Sequence, residues 1–279
     1  MEETKIQVNV SIMMDYVEKE LSKYDWFFNR IDYYKVYRTL YEAGRLYYII
    51  HKYKESASAF LQALTLKKMD YLPLDNTMIK EYITSCMDGN IDISNDLLQK
   101  INNKITYNID MAEIYEKLGD YYNNNKNFGD AMKYYNKSLE IRKNIKHNGN
   151  STVNLLKKIA KLNIDINYKR EASKYYEECA MMLSTNNLLK FGLNRCLLYS
   201  LITLLDISTI ENLNEKIKEY ENKYSIFSNS PEYILFQQLM KAYIDKNSKH
   251  IKQVITSNTG DFEQCILQIL ETICNRMHI

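Results

Sequence analysis

The stretch that decides the architecture is IDMAEIYEKLGDYYNNNKNFGDAMKYYNKSLE, residues 109–140. Tyr115, Leu118, Gly119 and Tyr122 recur at three- and four-residue steps, so they share one face of a helix. The polar run NNNKNFGD then breaks the pattern. Beyond it Ala131, Tyr135 and Ser138 resume the helical step. The spacing predicts two amphipathic helices joined by a short turn, with the small residue at 119 letting the second helix come close.

Two other windows carry the same arrangement. Upstream are Leu40, Ala43, Gly44 and Tyr47, followed by Ser56, Phe60 and Ala63. Downstream are Leu156, Ile159, Ala160 and Asn163, followed by Ala172, Tyr176 and Cys179. This is the spacing of a tetratricopeptide-type helical hairpin. Small residues on both helices permit close approach, and the aromatic on the second helix is expected to wedge between neighbouring hairpins. The central small residues fall at 44, 119 and 160, so the intervals of 75 and 41 depart from a strict array. Longer helices or an extra hairpin between the first two would account for that. The tract Pro73–Asn90 holds a proline and the run MDGN and reads as irregular.

Working outward, apolar periodicity continues over Leu188–Asp206, Ile210–Tyr224, Glu232–Lys246 and Asp261–Ile279. Ser230 is placed to N-cap the third of these stretches, with Pro231 at its first position. Asp261, after Gly260, stands similarly before the last. The expectation is an all-α chain: a tetratricopeptide-like solenoid of antiparallel hairpins over 1–187, and a C-terminal helical bundle over 188–279. Composition agrees. The 279 residues include only 7 Gly and 2 Pro, too few for the many turns of a sandwich or barrel. The 25 Tyr, each an apolar ring with a polar tip, suit half-buried helix seams.

Function classes narrow in the same way. Five scattered Cys with no CxxC pair read as reduced thiols of a cytosolic protein. The N-terminus has acids where a signal peptide has cations. The most apolar window, Cys196–Leu205, is about half the roughly 20 residues a membrane span needs. The four His share no ligand spacing with one another or with the Cys, and no glycine-rich phosphate loop occurs. No enzyme, metal or cofactor is expected.

Two features point to binding. Residues 131–174 carry 11 Lys and Arg against 3 Asp and Glu, a local balance of +8 in a chain of net charge +2. Such a block is either a solvated helix face or a surface for an acidic partner. Within it Lys157, Lys158 and Lys161 fall in about one helical turn, and Lys190 and Arg195 open the next hairpin. Nucleic acid is disfavoured, because the block is mostly Lys and the sequence pI is about 8.1, below the 9 or so such a surface favours. The other feature is Trp26-Phe27-Phe28, flanked by Lys23 and Arg30. Three consecutive aromatics do not share one helix face. They form either a turn capping the first hairpin or an exposed loop touching a membrane surface.

Together these features resemble the soluble NSF attachment proteins, the SNAP family, over nearly the whole chain. The most specific pieces are Ile109–Glu116, the hairpin Ser151–Glu178, LLKFGLNR at Leu188–Arg195, and Phe227–Tyr243. Trp26–Phe28 sits where the alpha and beta types have a hydrophobic loop, so the chain is closer to these than to gamma. The resemblance implies a cytoplasmic, peripheral-membrane adaptor without catalytic activity. It would wrap the four-helix SNARE bundle and recruit the hexameric ATPase NSF in vesicle fusion. SNARE contact would fall to Lys157, Lys158, Lys161, Lys190 and Arg195, with Asn154 standing where the family has lysine. Membrane contact would fall to Trp26, Phe27 and Phe28, without the glycines that surround the family's loop. The ATPase would meet Asp245 and Glu271. Here the pattern departs: Lys241 and Ile244 replace family carboxylates, the acidic tail is missing, and Pro73–Lys100 is shorter by about one helix. Alternatives are a SNARE-binding mimic that fails to activate the ATPase, and a helical-repeat scaffold for an unrelated partner.

Overall fold

A computed structural model describes residues 2–23, 31–66, 75–103, 108–146, 149–185, 192–258 and 262–277. Among them are fourteen α-helices and no strand. None is long and apolar enough to cross a membrane. Two compact units divide the chain, Met1–Ile145 and Lys146–Ile279.

The first unit holds α1 (Glu2–Leu21), α2 (Tyr33–Ile49), α3 (Tyr53–Thr65), α4 (Asn76–Gly89), α5 (Asn95–Asn103), α6 (Ile109–Asn124) and α7 (Phe128–Asn144). Helices α1 to α4 pack in sequence, α6 packs on α4, and α7 closes a hairpin on α6. The stretch at 109–140 forms α6 and α7 as expected, with Asn108 capping α6 and Asn127 capping α7 through their side-chain oxygens. The glycine does what its spacing implies. A Cβ on Gly119 would stand 2.3 Å from Tyr135, and one on Gly44 would stand 2.7 Å from Phe60. The aromatic seats against the small residue of its own hairpin. Phe60 also lines a cavity with Thr84 and Ser85 of the next helix, and Tyr176 reaches onward, edge-to-face on Tyr199 of the helix after its own at 5.6 Å.

The tract expected to be irregular is instead helix α4. Asp75 caps it, accepting from the amides of Thr77 and Met78, so Pro73 precedes the helix and does not interrupt it. Met78, Ile79, Tyr82, Ile83 and Cys86 give it a continuous buried stripe. It ends at Gly89, with Asn90 left-handed at φ 49°. The wide interval between Gly44 and Gly119 is thus filled by α4 and the short α5.

The second unit holds α8 (Asn150–Asp165), α9 (Lys169–Thr185), α10 (Leu193–Leu205), α11 (Ile210–Lys223), α12 (Pro231–Ile244), α13 (Ser248–Ser257) and α14 (Gln264–Arg276). Helices α8, α9 and α10 pack in order, α11, α12 and α14 gather on α10, and α13 links α12 to α14. Ser230 caps α12 by accepting from the Tyr233 amide, with Pro231 at the first position. Asp261 lies outside the described residues, and Glu263 stands at the cap of α14. Helix α13 has no counterpart in the sequence reading, being ten residues long with only Ile251 and Val254 as buried apolar anchors. One turn recurs: His51, Lys126, Asn167 and Lys246 are each left-handed, at φ 58°, 58°, 64° and 51°. After each, the next amide reaches back to close the ended helix, as from Asn127 to Tyr122 at 2.9 Å.

Tyrosine explains much of how the seams hold. Tyr37, Tyr41 and Tyr48 of α2 donate to Asp75, Glu81 and Asp88, at the start, middle and end of α4. Tyr135 donates to Asp120 at 2.7 Å, and Tyr220 to Glu177 at 2.7 Å. Such phenols resist ionisation. The bond to Asp88 and burial push Tyr48 up to about 12 from an ordinary 10.0. Burial, then Asp120, raises Tyr135, and burial, then Glu177, raises Tyr220. A raised folded-state value means the folded chain holds protons that the unfolded chain releases. Stability is therefore intact below about pH 10 and falls above it. An alkaline titration is expected to show phenolate absorbance rising together with loss of helical circular dichroism. Complete tyrosine ionisation with helicity retained would contradict the seam account.

Candidate functional site

The expected site residues of α8 and α10 lie in the second unit. Helix α8 buries Val153, Leu156, Ile159, Ala160 and Asn163, the stripe that makes it the first helix of a hairpin. The opposite flank carries the lysines, with Lys157 and Lys158 half-buried and Lys161 exposed. Arg195 is half-buried in the first turn of α10. Lys190 lies outside the described residues, as do Trp26, Phe27 and Phe28.

Cys179 of α9 and Cys196 of α10 are 0% and 1% exposed. The hydrogen bond from Cys179 pulls the Cys196 thiol down, against burial, and the Lys157 and Arg195 charges add to the lowering. Hydrogen bonding to Cys196 and burial hold Cys179 far above the ordinary thiol range, with Lys157 opposing. Lys157 and Arg195 thus stand within electrostatic reach of the same sulfur from helices separated by α9. Lys161, one turn beyond Lys157, acts in turn on Cys265 of α14 and on Asp165, whose carboxyl is raised by burial. The arrangement can attract an anionic surface. The five thiols are all buried and unlinked.

The acidic candidates are placed differently. Asp245 is the exposed residue that ends α12, and Glu271 is exposed on α14. Around Asp245 stand Lys241, Ile244 and Lys246, all exposed.

A residue that the sequence reading passed over ties three helices together. Asp206 ends α10 with its side chain 2% exposed. It accepts from Lys169 at the start of α9, and from Arg276 Nη1 at the end of α14 at 2.8 Å. Lys169 is itself nearly buried, with its side chain 10% exposed. Asp206 and Arg276 are 70 residues apart, so no sequence spacing links them. The one signal is an acid directly after the apolar run LLYSLITLL. Among the described residues no three His, Cys, Asp or Glu side chains are grouped to hold a metal.

Comparison with known proteins then gives a family. The family model described as soluble NSF attachment protein, SNAP, matches residues 12–265. The beta-soluble NSF attachment protein of Bos taurus is 24% identical over 218 residues. That alignment covers 77% of this chain and 66% of the bovine protein, just under two thirds of the relative's length.

Proposed function

The chain belongs to the soluble NSF attachment protein family, and on that premise we propose that it is an adaptor that binds assembled SNARE bundles and recruits an NSF-type ATPase to take them apart. Its SNARE contact is the basic flank of α8 and α10, with Lys157, Lys158, Lys161 and Arg195, together with Lys190. Trp26, Phe27 and Phe28 touch the membrane surface, and Asp245 and Glu271 face the ATPase. The adaptor does no chemistry of its own.

The reading is supported by two half-buried cations on the first helices of successive hairpins, Lys157 of α8 and Arg195 of α10, both of which act on the Cys196 thiol. Cations on successive hairpins suit a long acidic partner. Exposed charge pairs are individually worth about 0–1 kcal/mol and are screened by salt, so attraction is summed over the flank. Reversing Lys157 and Arg195 to glutamate together is expected to weaken capture of a preformed SNARE bundle at low salt about tenfold or more. Unchanged capture would remove the basic flank from the mechanism.

A second reading has its own support. The end of α12 presents Lys241, Ile244 and Lys246 beside Asp245, a poor surface for a basic ATPase domain. On this reading the protein holds SNAREs and does not activate the ATPase. Disassembly of a preformed SNARE complex by NSF and ATP, with this protein as sole adaptor, separates the two. Turnover supports the adaptor, binding without turnover supports the mimic, and no binding leaves a repeat scaffold for another partner.

A further inference from the structure

One end of the second unit carries a groove of about 470 Å³, a volume within the roughly 300–1,000 Å³ of small-molecule sites. It lies where α10 turns into α11 and where α12 and α14 end. Three isoleucines give it apolar wall, each from a different helix: Ile210 of α11, Ile244 of α12 and Ile273 of α14. Ile273 is buried, Ile210 is half-buried, and Ile244 is 52% exposed. The outer part of this wall is apolar surface that an occupant would take out of water.

The charged groups of the groove favour one sign of ligand. Among its lining residues the one carboxylate is that of Asp206, and it is already saturated. One oxygen accepts from Lys169 and the other from Arg276, and the side chain is 2% exposed. The cations are not saturated. Arg276 is 60% exposed and uses one nitrogen, Nη1, on Asp206, so the rest of its five-donor fork faces outward. Lys246, exposed in the turn after α12, has no carboxylate within 4 Å. Its neighbour Asp245 is exposed and is not part of the wall. Counting Lys169, three cations stand against one acid. A neutral apolar molecule would leave Lys246 and Arg276 without an anion, and a small polar anion would leave the isoleucines uncovered.

We propose that this groove binds a free single-chain amphiphile with an anionic head, of the medium-chain fatty-acid class. The carboxylate meets Arg276 and Lys246, and the aliphatic chain lies against Ile210, Ile244 and Ile273. Arginine suits the head, because a guanidinium pairs with a carboxylate through two parallel hydrogen bonds. The site uses no residue of the basic flank of α8 and α10.

The test is isothermal titration calorimetry of the full chain with decanoate, which is expected to bind one to one. Octanoate is expected to bind about tenfold more weakly, the loss of two buried methylenes. Decylamine, the same chain with the opposite charge, is expected to bind at least tenfold more weakly, and acetate not at all. Ile244→Asp and Lys246→Glu change exposed side chains and leave the core intact. Each is expected to weaken decanoate about tenfold or more. Ile234→Asp alters an equally exposed isoleucine of α12 (55%) outside the groove and is expected to change nothing. Absence of decanoate binding overturns the proposal, as does decylamine binding equal to that of decanoate. Indifference to both Ile244→Asp and Lys246→Glu, or an equal loss in Ile234→Asp, also overturns it and assigns the signal to adsorption elsewhere. Co-sedimentation with phosphatidylserine vesicles in the absence of decanoate binding overturns it in favour of a membrane surface. The Lys157 and Arg195 reversal is expected to leave decanoate binding unchanged, so failure here and failure of the SNARE reading are distinguishable.

Discussion

Gly119→Ala is expected to destabilise the first unit by about 2 kcal/mol or more, within the range for overpacking a close-packed core. The change is the smallest possible and in a helix interior it normally helps, since alanine exceeds glycine in helix propensity by about 1 kcal/mol. Here the new methyl would stand 2.3 Å from Cδ1 and 2.5 Å from Cε1 of Tyr135, closer than carbon atoms tolerate. Tyr135 has nowhere to go. Its ring is 1% exposed and its hydroxyl is tied to Asp120 at 2.7 Å. Helices α6 and α7 must separate, or the phenol must give up its carboxylate. Urea unfolding followed by circular dichroism measures the effect. Gly129→Ala is the internal control, because a Cβ there meets only the Asn127 side chain at 3.9 Å. It is expected to be neutral or slightly stabilising. If the two variants proved equally stable, the close approach of α6 and α7 at Gly119 would be wrong.

Asp206→Ala is expected to cost about 3–5 kcal/mol, the usual penalty for removing one partner of a buried ion pair. The carboxylate is the common acceptor of Lys169 and Arg276 and joins the ends of α9, α10 and α14. Without it the Lys169 ammonium is left desolvated with no counter-ion. The two cations are not equal. Arg276 is 60% exposed and regains water, so Arg276→Ala is expected to cost no more than about 1 kcal/mol. Replacing the buried pair together, Lys169→Met with Asp206→Leu, is expected to recover most of the stability lost in Asp206→Ala, because a packed apolar pair avoids the desolvation penalty. Thermal unfolding of the three variants beside the wild type forms the comparison. A mild Asp206→Ala, or a double variant no better than the single one, would show that this cluster is well solvated.

The site was legible where chemistry is local. The basic block is visible in a count of charges, and Lys157, Lys158 and Lys161 are linked by helix spacing alone. Neither the joint effect of Lys157 and Arg195 on Cys196 nor the surroundings of Glu81 can be read that way, since each depends on side chains from different helices. The tract at Pro73–Asn90 shows a subtler failure. Proline, glycine and asparagine give the tract an irregular pattern, whereas they stand just before the cap and at the stop of an ordinary helix, α4. Helix α13 escaped notice because two buried anchors over ten residues make too weak a period.

By itself the sequence determined the helical class, the three hairpins and the glycines at their seams, because these rest on contacts between residues one turn apart or one short loop away. Backbone periodicity and side-chain volume suffice there. Tertiary structure alone decided which tyrosine meets which carboxylate, that Asp206 gathers Lys169 and Arg276, and that Glu81 of α4 meets Tyr41 and Arg45 of α2. Those pairings span up to 70 residues, and nothing in a local pattern encodes which distant side chain will share a buried volume once the helices pack.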